Sequence, residues 1–300
     1  MGIVNLANAI QNGGFVITAE CRPPRGAESA QLRACAAALG NAVSAIYAPE
    51  SEDGIRLCSL AASNHLASAG VEPIMCLLTR DLNRIALQSA ILGAASMGLK
   101  NLMCLSGRHQ TLTTSGTAKG VFDIDAIQLL SIADRIRKEG KLADGQVIDS
   151  PIELTLGTDT NPFAEPMDLQ ILTLEKAAAA GADFVVTQPV FNMSKFNEWM
   201  SAVRDKGIDK RTCIIASVMP VTTSRQAAAL AEKYRHLNIP KDLYERLNTA
   251  GDRRSAGVHV ATETVSQLSK IEGVRGIHLM TGDDFELAAN IIEASGISRS

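Results

Sequence analysis

The sequence has few aromatic residues and no long run of one kind of charge. Phe, Trp and Tyr together make up 4% of the 300 residues, and the formal net charge is −3 at pH 7. Because no basic stripe or Lys/Arg run is present, neither nucleic acid nor an anionic membrane is expected as a main partner. Charged residues also interrupt the apolar stretches well before the roughly 20 residues that a membrane span needs.

The signals of secretion and of paired cysteines are missing as well. The opening segment, MGIVNLANAIQNGG, contains neither the basic part nor the apolar core of a signal peptide. The six cysteines include no CxxC pair, which favours reduced, buried thiols over disulfides or a zinc site. We therefore expect a cytoplasmic protein without a metal site.

What the sequence does contain is a large apolar fraction in alternating patterns. Hydrophobic residues make up 46% and charged residues 20%, which is enough for an extensive core. Short apolar, β-branched runs alternate with segments whose apolar residues recur at helical spacing, such as 83–97 and 168–180. The predicted strands are residues 15–21, 42–48, 73–79, 101–107, 152–158, 184–190, 212–219 and 276–282.

This alternation predicts an α/β fold, a (β/α)₈ TIM barrel that forms a single domain over residues 1–300. Strands that are nearly continuous in apolar residues are typical of a parallel sheet buried on both faces, and barrel closure accounts for eight of them. An open, doubly wound sheet is the alternative. A long loop is expected at 108–121, over the barrel mouth, and a helical insertion at 236–256. Reactive groups in such barrels lie where strands end.

Five segments at these strand ends resemble one enzyme family. They are TAECRPPRG (18–26), EPIMCLLTRDLNRIALQSAILGAASMGLKNLMCLSG (72–107), GTDTNPFAEP (157–166), GADFVVTQPVFN (181–192) and ASVMPVTTSRQA (216–227). In content and spacing they resemble the methylenetetrahydrofolate reductases, and the resemblance runs over nearly the whole chain. It implies a barrel that holds a flavin, FAD or FMN, and passes a hydride from NAD(P)H to a folate-borne one-carbon unit.

The resemblance makes Glu20 the catalytic residue, a general acid that helps to open the imidazolidine ring of 5,10-methylenetetrahydrofolate. Glu20 lies inside an apolar strand and precedes a Pro-Pro turn. A carboxylate in that position is partly desolvated, which suits it to deliver a proton. An ion pair with Arg22 or Arg25 is the alternative that the residues leave open.

For the flavin, the resemblance points to strands three to five and the helix that follows them. Arg108 departs from the family, which carries an aspartate after this glycine; an arginine would oppose a cationic folate intermediate by on the order of a few kcal/mol. It would instead favour an anionic reduced flavin, or turn away to solvent or a phosphate. Lys176 stands one residue before the family's lysine, here Ala177, and is either its substitute or a solvated helix lysine. The expected cofactor-binding residues are Cys76, Ser106, Gly107, Arg108, Asn161, Ala164, Gln170, Thr173 and Lys176.

For the substrate, the resemblance points to Gln188, Phe191 and Gln226. The two glutamines match substrate contacts of the family, and Phe191 lies where an aromatic ring can stack on the pterin. A buried glutamine at a strand end would be costly without a ligand. Asp284 stands where the family presents an arginine to the folate, and its alternative role is to cap the last helix.

The leading hypothesis is therefore a flavin-dependent reductase that converts 5,10-methylenetetrahydrofolate to 5-methyltetrahydrofolate. No Gly-rich Rossmann fingerprint follows any strand, so NAD(P)H would bind over the flavin. One alternative is a diverged relative that acts on another pterin or one-carbon carrier, or that transfers pterin methyl groups without a flavin. The other is an electron-accepting subunit of a larger redox complex with a partner protein. A homo-oligomer or a subunit of a complex is expected.

Overall fold

The computed structural model describes residues 5–50, 53–234, 237, 239–249 and 253–299. Eight parallel strands form one closed barrel in chain order, and pairing of the first strand with the last closes it. The strands are β1 (Val16–Glu20), β2 (Ala45–Ala48), β3 (Pro73–Leu78), β4 (Asn101–Leu105), β5 (Thr155–Thr160), β6 (Phe184–Pro189), β7 (Cys213–Val218) and β8 (Val274–Leu279). The predicted TIM barrel is confirmed, and the open sheet is excluded.

One short helix precedes the first strand, and the other helices follow the strands and surround the barrel. The helices are α1 (Leu6–Gln11), α2 (Ala30–Leu39), α3 (Ser59–Ser68), α4 (Arg84–Ser96), α5 (Ala126–Glu139), α6 (Met167–Ala179), α7 (Met193–Asp205), α8 (Ser224–Lys233), α9 (Lys241–Thr249), α10 (Arg253–Leu268) and α11 (Phe285–Ser295). In the part of the chain that the structure describes, no helix is both long and apolar enough to cross a membrane.

Alternate residues of each strand face opposite sides, and two core layers result. Outward-facing residues such as Ile17 and Val185 pack against the helices. Inward-facing residues, Val16 and Phe184 among them, fill the lower lumen together with Leu6 of α1. The backbone N–H of Leu6 donates to the partly buried carboxylate of Glu72 at 3.1 Å, which anchors this short helix beneath the barrel. The lower lumen is therefore a packed floor, and only its upper end can hold a ligand.

Glycine at position 157 is required by this floor. A Cβ atom there would lie 2.2 Å from the ring of Phe184, which occupies the space beside β5. The register pairs Gly157 with Phe184 and Asp159 with Val186. Since Phe184 and Val186 both belong to the lumen cluster, Asp159 faces the same lumen one layer higher.

Two longer connections lie at the carboxyl ends of the strands. The loop after β4 contains a 3₁₀ turn at Gln110–Leu112 and returns to β3, where Val121 N–H donates to the carbonyl of Arg80 at 2.7 Å. The segment after α8 contains α9, which packs with α8 and α10 in a separate apolar cluster that includes Val221 and Leu247. Part of the predicted insertion at 236–256, including His236, lies outside the described residues.

The two strands whose predicted limits differ most are β5 and β8. Strand β5 begins at Thr155, where its pairing with Asn101 of β4 starts, because the preceding residues are largely exposed. Strand β8 begins at Val274, which already pairs with Ile214 of β7. All six cysteines are free thiols, and all but Cys58 are buried, so the expectation of buried thiols fails at that position.

Candidate functional site

Glu20 lies at the upper end of β1, in the same alternation as Val16 and Thr18, which places it at the mouth of the lumen. It is only 6% exposed. The Nε of Arg22 donates to its Oε1 at 2.8 Å. The ion pair that the sequence left open therefore forms with Arg22, whereas Arg25 contacts Asp53. Burial and a bound guanidinium together hold this carboxylate in one position.

A second polar pair stands behind Glu20. The Oγ1 of Thr18 and the Nδ1 of His278 lie 2.9 Å apart, joining β1 to β8. Burial lowers the pKa of His278 to about 4, so the imidazole is neutral at pH 7. Its ring meets that of Tyr47 edge to face at 5.8 Å between centroids. These contacts of His278 were not predicted from the sequence, because one histidine in an apolar strand is usually a packing residue.

Cys76 contributes a buried thiol to the same side of the lumen. Burial raises its pKa to about 12, and the thiol shares a hydrogen bond with Tyr47. The pKa of Tyr47 also lies well above its ordinary value, because of burial first, then Cys76, with the charges of Glu20 and Asp159 adding to it. Both groups are neutral at pH 7. Cys76 is therefore a polar wall residue rather than a nucleophile.

The end of β4 carries three of the predicted cofactor residues. The Oγ of Ser106 accepts from Ala126 N–H at 3.0 Å and so caps α5. Gly107 has a φ of +77°, and a Cβ there would lie 3.2 Å from Cβ of Arg80. The guanidinium carbon of Arg108 lies 5.1 Å from the ring centroid of Tyr234, at the end of α8. Arg108 thus reaches toward the β7 side of the mouth, an arrangement that the sequence did not predict.

Asp159, on β5, was missed by the sequence analysis. It is exposed, although its strand neighbours Thr158 and Thr160 are buried. An exposed side chain that faces the lumen means that the mouth is open on this side. Leu105, also at the mouth, is partly exposed. The inward alternation from Gly157 is the signal that could have identified Asp159.

The predicted residues beyond β5 lie in the turn that follows this strand and on α6. The Oδ1 of Asn161 accepts from Phe163 N–H at 3.0 Å, and Ala164 is partly buried in the same turn. On α6, Thr173 is exposed and donates from Oγ1 to the carbonyl of Leu169. Lys176 is exposed and Gln170 is partly buried, and both lie on the same helix. Of these side chains, Thr173 and Lys176 are exposed to solvent.

The three predicted substrate residues have different local surroundings. Gln188 lies at the upper end of β6, partly buried, next to a register shift between Val186 and Pro189. Phe191 packs against the cluster of α8–α10 and lines a cavity of about 200 Å³ there. The Oε1 of Gln226 accepts from Thr222 N–H at 3.1 Å, so this side chain is turned back toward its own loop.

The family departures at Asp284 and Ala177 have structural explanations. The Oδ1 of Asp284 accepts from Leu287 N–H at 3.0 Å, so Asp284 is the N-cap of α11. Burial opposes ionisation, but hydrogen bonds from Arg254 and from Leu287 N–H hold the pKa of Asp284 below its ordinary value. Ala177 lies on the face of α6 that is buried in the core, so a lysine side chain at this position would not reach solvent. Of the two roles considered for Asp284, the structure supports helix capping.

One exposed face of α6 has side chains that suit a flavin. Leu169, Leu172, Thr173 and Lys176 follow one another at spacings of three, one and three residues, which places them on one face of α6. Both leucines are exposed, at 52% and 45%. Apolar surface for a ring system therefore lies beside a hydroxyl and an ammonium, which suit a polar edge and a phosphate. The residues fit the group. Across the described ranges, no cluster of His, Cys, Asp and Glu could hold a metal ion.

Comparison with known proteins gives a consistent family match. The family model of methylenetetrahydrofolate reductase matches residues 5–296. The 5,10-methylenetetrahydrofolate reductase of Salmonella typhimurium is 28% identical over 156 residues, which is 51% of this chain and 51% of that protein. That of Pectobacterium carotovorum is 23% identical over 231 residues, 76% of this chain and 71% of that protein. The chain spans about half the length of the first of these relatives.

Solved structures confirm the architecture at lower sequence identity. An uncharacterized protein from Clostridium thermocellum that binds two copies of 5-methyl-5,6,7,8-tetrahydrofolic acid superposes with a TM-score of 0.68, over 97% of this chain and 98% of that one, at 13% identity. A 2,3-dimethylmalate lyase superposes with a TM-score of 0.53 over 91% of this chain and 77% of that one, at 12% identity. At such identities these likenesses show the shared barrel fold alone.

Proposed function

The chain belongs to the methylenetetrahydrofolate reductase family, and on that premise we propose that it reduces 5,10-methylenetetrahydrofolate to 5-methyltetrahydrofolate. The proposal includes a bound flavin and Glu20 as the general acid. The observation that carries it is the position of Glu20, a buried carboxylate at the rim of a lumen that is open on the opposite wall. An acid held in place on one side and room for a ring system on the other are what this reaction needs.

The flavin is proposed to lie over β4, β5 and α6. Asn161, Gln170 and Thr173 would offer hydrogen bonds, Lys176 a positive charge, and Ala164 and Gly107 close backbone approach. Ser106 would act through its backbone, since its hydroxyl caps α5, and Cys76 would line the inner wall. When bound, the flavin, FAD or FMN, supplies the hydride.

Glu20 is proposed to deliver the proton that opens the substrate's five-membered ring. The bond between N10 and the bridging carbon breaks, N10 takes the proton from Glu20, and the positive charge remains on N5 and the bridging carbon. The carbon then accepts the hydride, which yields the methyl group. Arg22 holds Oε1 in the structure, so the proton is assigned to Oε2. After the transfer, Arg22 stabilises the carboxylate that Glu20 becomes.

Arg108 is proposed to act at the edge of the flavin or at the mouth. In the structure its guanidinium lies against the ring of Tyr234, on the β7 side of the mouth. A guanidinium near the flavin would favour its anionic reduced form. This assignment keeps Arg108 away from the cationic carbon, which it would destabilise.

Folate binding is proposed to involve Gln188 as the hydrogen-bonding partner of the pterin. Phe191 and Gln226 remain candidates at the ends of β6 and β7, and Gln226 would have to exchange its bond to Thr222 for one to the substrate. The Clostridium thermocellum protein of the same fold binds 5-methyltetrahydrofolate, which supports the choice of a folate as ligand class. The electron donor, NAD(P)H or a partner redox protein, belongs to the proposal as well.

A flavin titration tests this proposal. The purified chain is titrated separately with FAD and FMN, followed by the visible absorbance and the quenching of flavin fluorescence. We expect one of the two flavins to bind and to be reduced by NADH or NADPH. If a redox partner protein is the natural donor, the bound flavin should be reduced only by an artificial reductant. Failure to take up either flavin would overturn the proposal.

A second candidate function is favoured by Arg108 alone. Because a positive charge at the end of β4 does not help a cationic folate, the chain could instead carry or transfer the methyl group of a pterin without a flavin. This candidate predicts that 5-methyltetrahydrofolate binds tightly to flavin-free protein and that 5,10-methylenetetrahydrofolate is not reduced. Isothermal titration with 5-methyltetrahydrofolate, with and without flavin, separates the two candidates.

A further inference from the structure

The loop after β4 buries a carboxamide that pairs with nothing in the described part of the chain. Gln110 is 3% exposed, and neither its Oε1 nor its Nε2 has a hydrogen-bond partner there. Within the described ranges it is the only residue with two such side-chain atoms. Its backbone carbonyl accepts from the N–H and the Oγ1 of Thr113, at 2.9 and 2.8 Å. Leaving an amide unpaired in the interior costs free energy, and an apolar side chain of the same size would avoid that cost.

The loop closes tightly over this carboxamide. A Cβ atom at Gly120 would lie 2.6 Å from Oε1 of Gln110 and 2.7 Å from the ring of Phe122. Phe122 itself has a φ of +42°, a backbone conformation that a bulky residue rarely adopts. Its ring is 41% exposed and stacks against the imidazole of His109. The same loop therefore holds both an unpaired amide and a strained residue.

Contacts with β3 and α4 hold the loop in this form. The N–H of Val121 donates to the carbonyl of Arg80 at 2.7 Å. Asp123, at the end of the loop, forms a salt bridge of 2.8 Å with Arg84 at the start of α4. These contacts fix the loop at the carboxyl ends of the strands, where barrels of this type bind their ligands. Strain that the surrounding structure maintains in such a place is often part of ligand binding.

We propose that Gln110 is a further flavin-binding residue, whose carboxamide turns out of the loop to hydrogen-bond the pyrimidine ring of the flavin. This inference rests on the proposed function, which places the flavin over the end of β4, beside Gly107. A carboxamide presents a donor and an acceptor side by side, and the pyrimidine ring presents an N–H between two carbonyl groups. Flavin binding is thereby coupled to opening of the loop, and it gives the amide the partners that it lacks in the closed loop.

The test compares three variants without and with flavin. Q110L and Q110M replace the carboxamide by apolar groups of similar size, and Q146L makes the same change at an exposed glutamine between α5 and β5. Melting temperatures of the flavin-free proteins are measured by scanning calorimetry, and dissociation constants of FAD and FMN by fluorescence titration.

We expect Q110L and Q110M to melt at least as high as the wild type without flavin, and to bind flavin about tenfold more weakly. Q146L should match the wild type in both measurements. If both Q110L and Q110M melt below the wild type, the carboxamide is satisfied within the folded protein and the proposal is wrong. If they bind flavin as the wild type does, Gln110 is not a flavin contact, and the proposed function stands. Wild-type protein that binds neither FAD nor FMN would overturn both proposals.

Discussion

The two sides of the barrel mouth are built in different ways. On the side of β1, β2 and β8, the polar groups find partners within the protein: Glu20 with Arg22, Thr18 with His278 and Tyr47 with Cys76. On the side of β5 and α6, side chains such as Leu172 and Lys176 are exposed. We infer that the first side is complete before a ligand arrives, whereas the second is completed by ligands.

This difference has a physical consequence for catalysis. A catalytic acid must be held in place before the reaction, since reorganising it during the step would cost part of the rate. Cofactor and substrate contacts need no such internal partners, because the ligand itself satisfies them. The comparison predicts that variants of the closed side affect chemistry and stability, and that variants of the open side affect binding.

The largest effect is expected from the E20Q variant. Glutamine keeps the size of Glu20 but cannot deliver a proton, so the rate of 5,10-methylenetetrahydrofolate reduction should fall by about 10²–10⁴-fold. Reduction of the bound flavin by its donor should not change. Stopped-flow measurement of the two half-reactions separates these effects. The matched control is E28Q, in the exposed loop after β1, and a wild-type rate in E20Q would remove Glu20 from the mechanism.

The next effect concerns the pH dependence of stability on the closed side. The pKa of His278 is lowered from 6.5 to about 4 in the folded protein, so the unfolded chain takes up the proton first as the pH falls. Stability should therefore decrease between about pH 6.5 and about pH 4, by at most about 3 kcal/mol from this residue. Urea unfolding across that range, compared between the wild type and H278Q, measures the contribution.

The control for that series is H259Q, because His259 lies at the surface, where its side chain is 70% exposed. H259Q should follow the wild-type pH dependence, and H278Q should lose the part assigned to burial. If stability falls with pH in the same way in the wild type and in H278Q, burial does not lower the pKa of His278.

A smaller effect is expected on the open side from K176Q. If Lys176 contacts a flavin phosphate, removing its charge should weaken flavin binding by about tenfold and leave the melting temperature unchanged. Fluorescence titration gives the dissociation constant, and K210Q, at an exposed lysine before β7, is the control. Equal flavin affinity in K176Q and K210Q would place the phosphate elsewhere.

The smallest effect should come from the contact between Arg108 and Tyr234. A guanidinium over an aromatic ring at a partly exposed site contributes about 0.5–1 kcal/mol. A double-mutant cycle of R108Q and Y234L, measured by urea unfolding, should give a coupling energy of that size. A coupling of zero would mean that Arg108 is not held on the β7 side and is available to the lumen.

The sequence was sufficient for the barrel and for the position of Glu20. Apolar strands at regular intervals determine the fold, and the alternation within β1 determines which residues face the lumen. The ion pair of Glu20 could be named as an alternative but not decided, because Arg22 and Arg25 are both within reach along the chain. Only the structure shows that Arg22 takes this place.

Other features depend on contacts between distant strands. Alternation along β5 makes Asp159 a candidate, but its layer in the lumen follows only from the pairing of β5 with Phe184 and Val186 of β6. The positions of Phe191 and Gln226 depend on how α8–α10 pack and on which loop atoms are left to accept hydrogen bonds. Arg108 finds Tyr234 across 126 residues of chain. Spacing within one segment contains no information on such pairs.

The most direct test of the proposed function is an anaerobic single turnover. Protein loaded with flavin is photoreduced and mixed with 5,10-methylenetetrahydrofolate, and flavin absorbance and folate products are followed together. The account predicts that the flavin is reoxidised with the formation of one 5-methyltetrahydrofolate per flavin, and that E20Q does this far more slowly. A flavin that stays reduced, or one that is reoxidised without the methyl product, would contradict it.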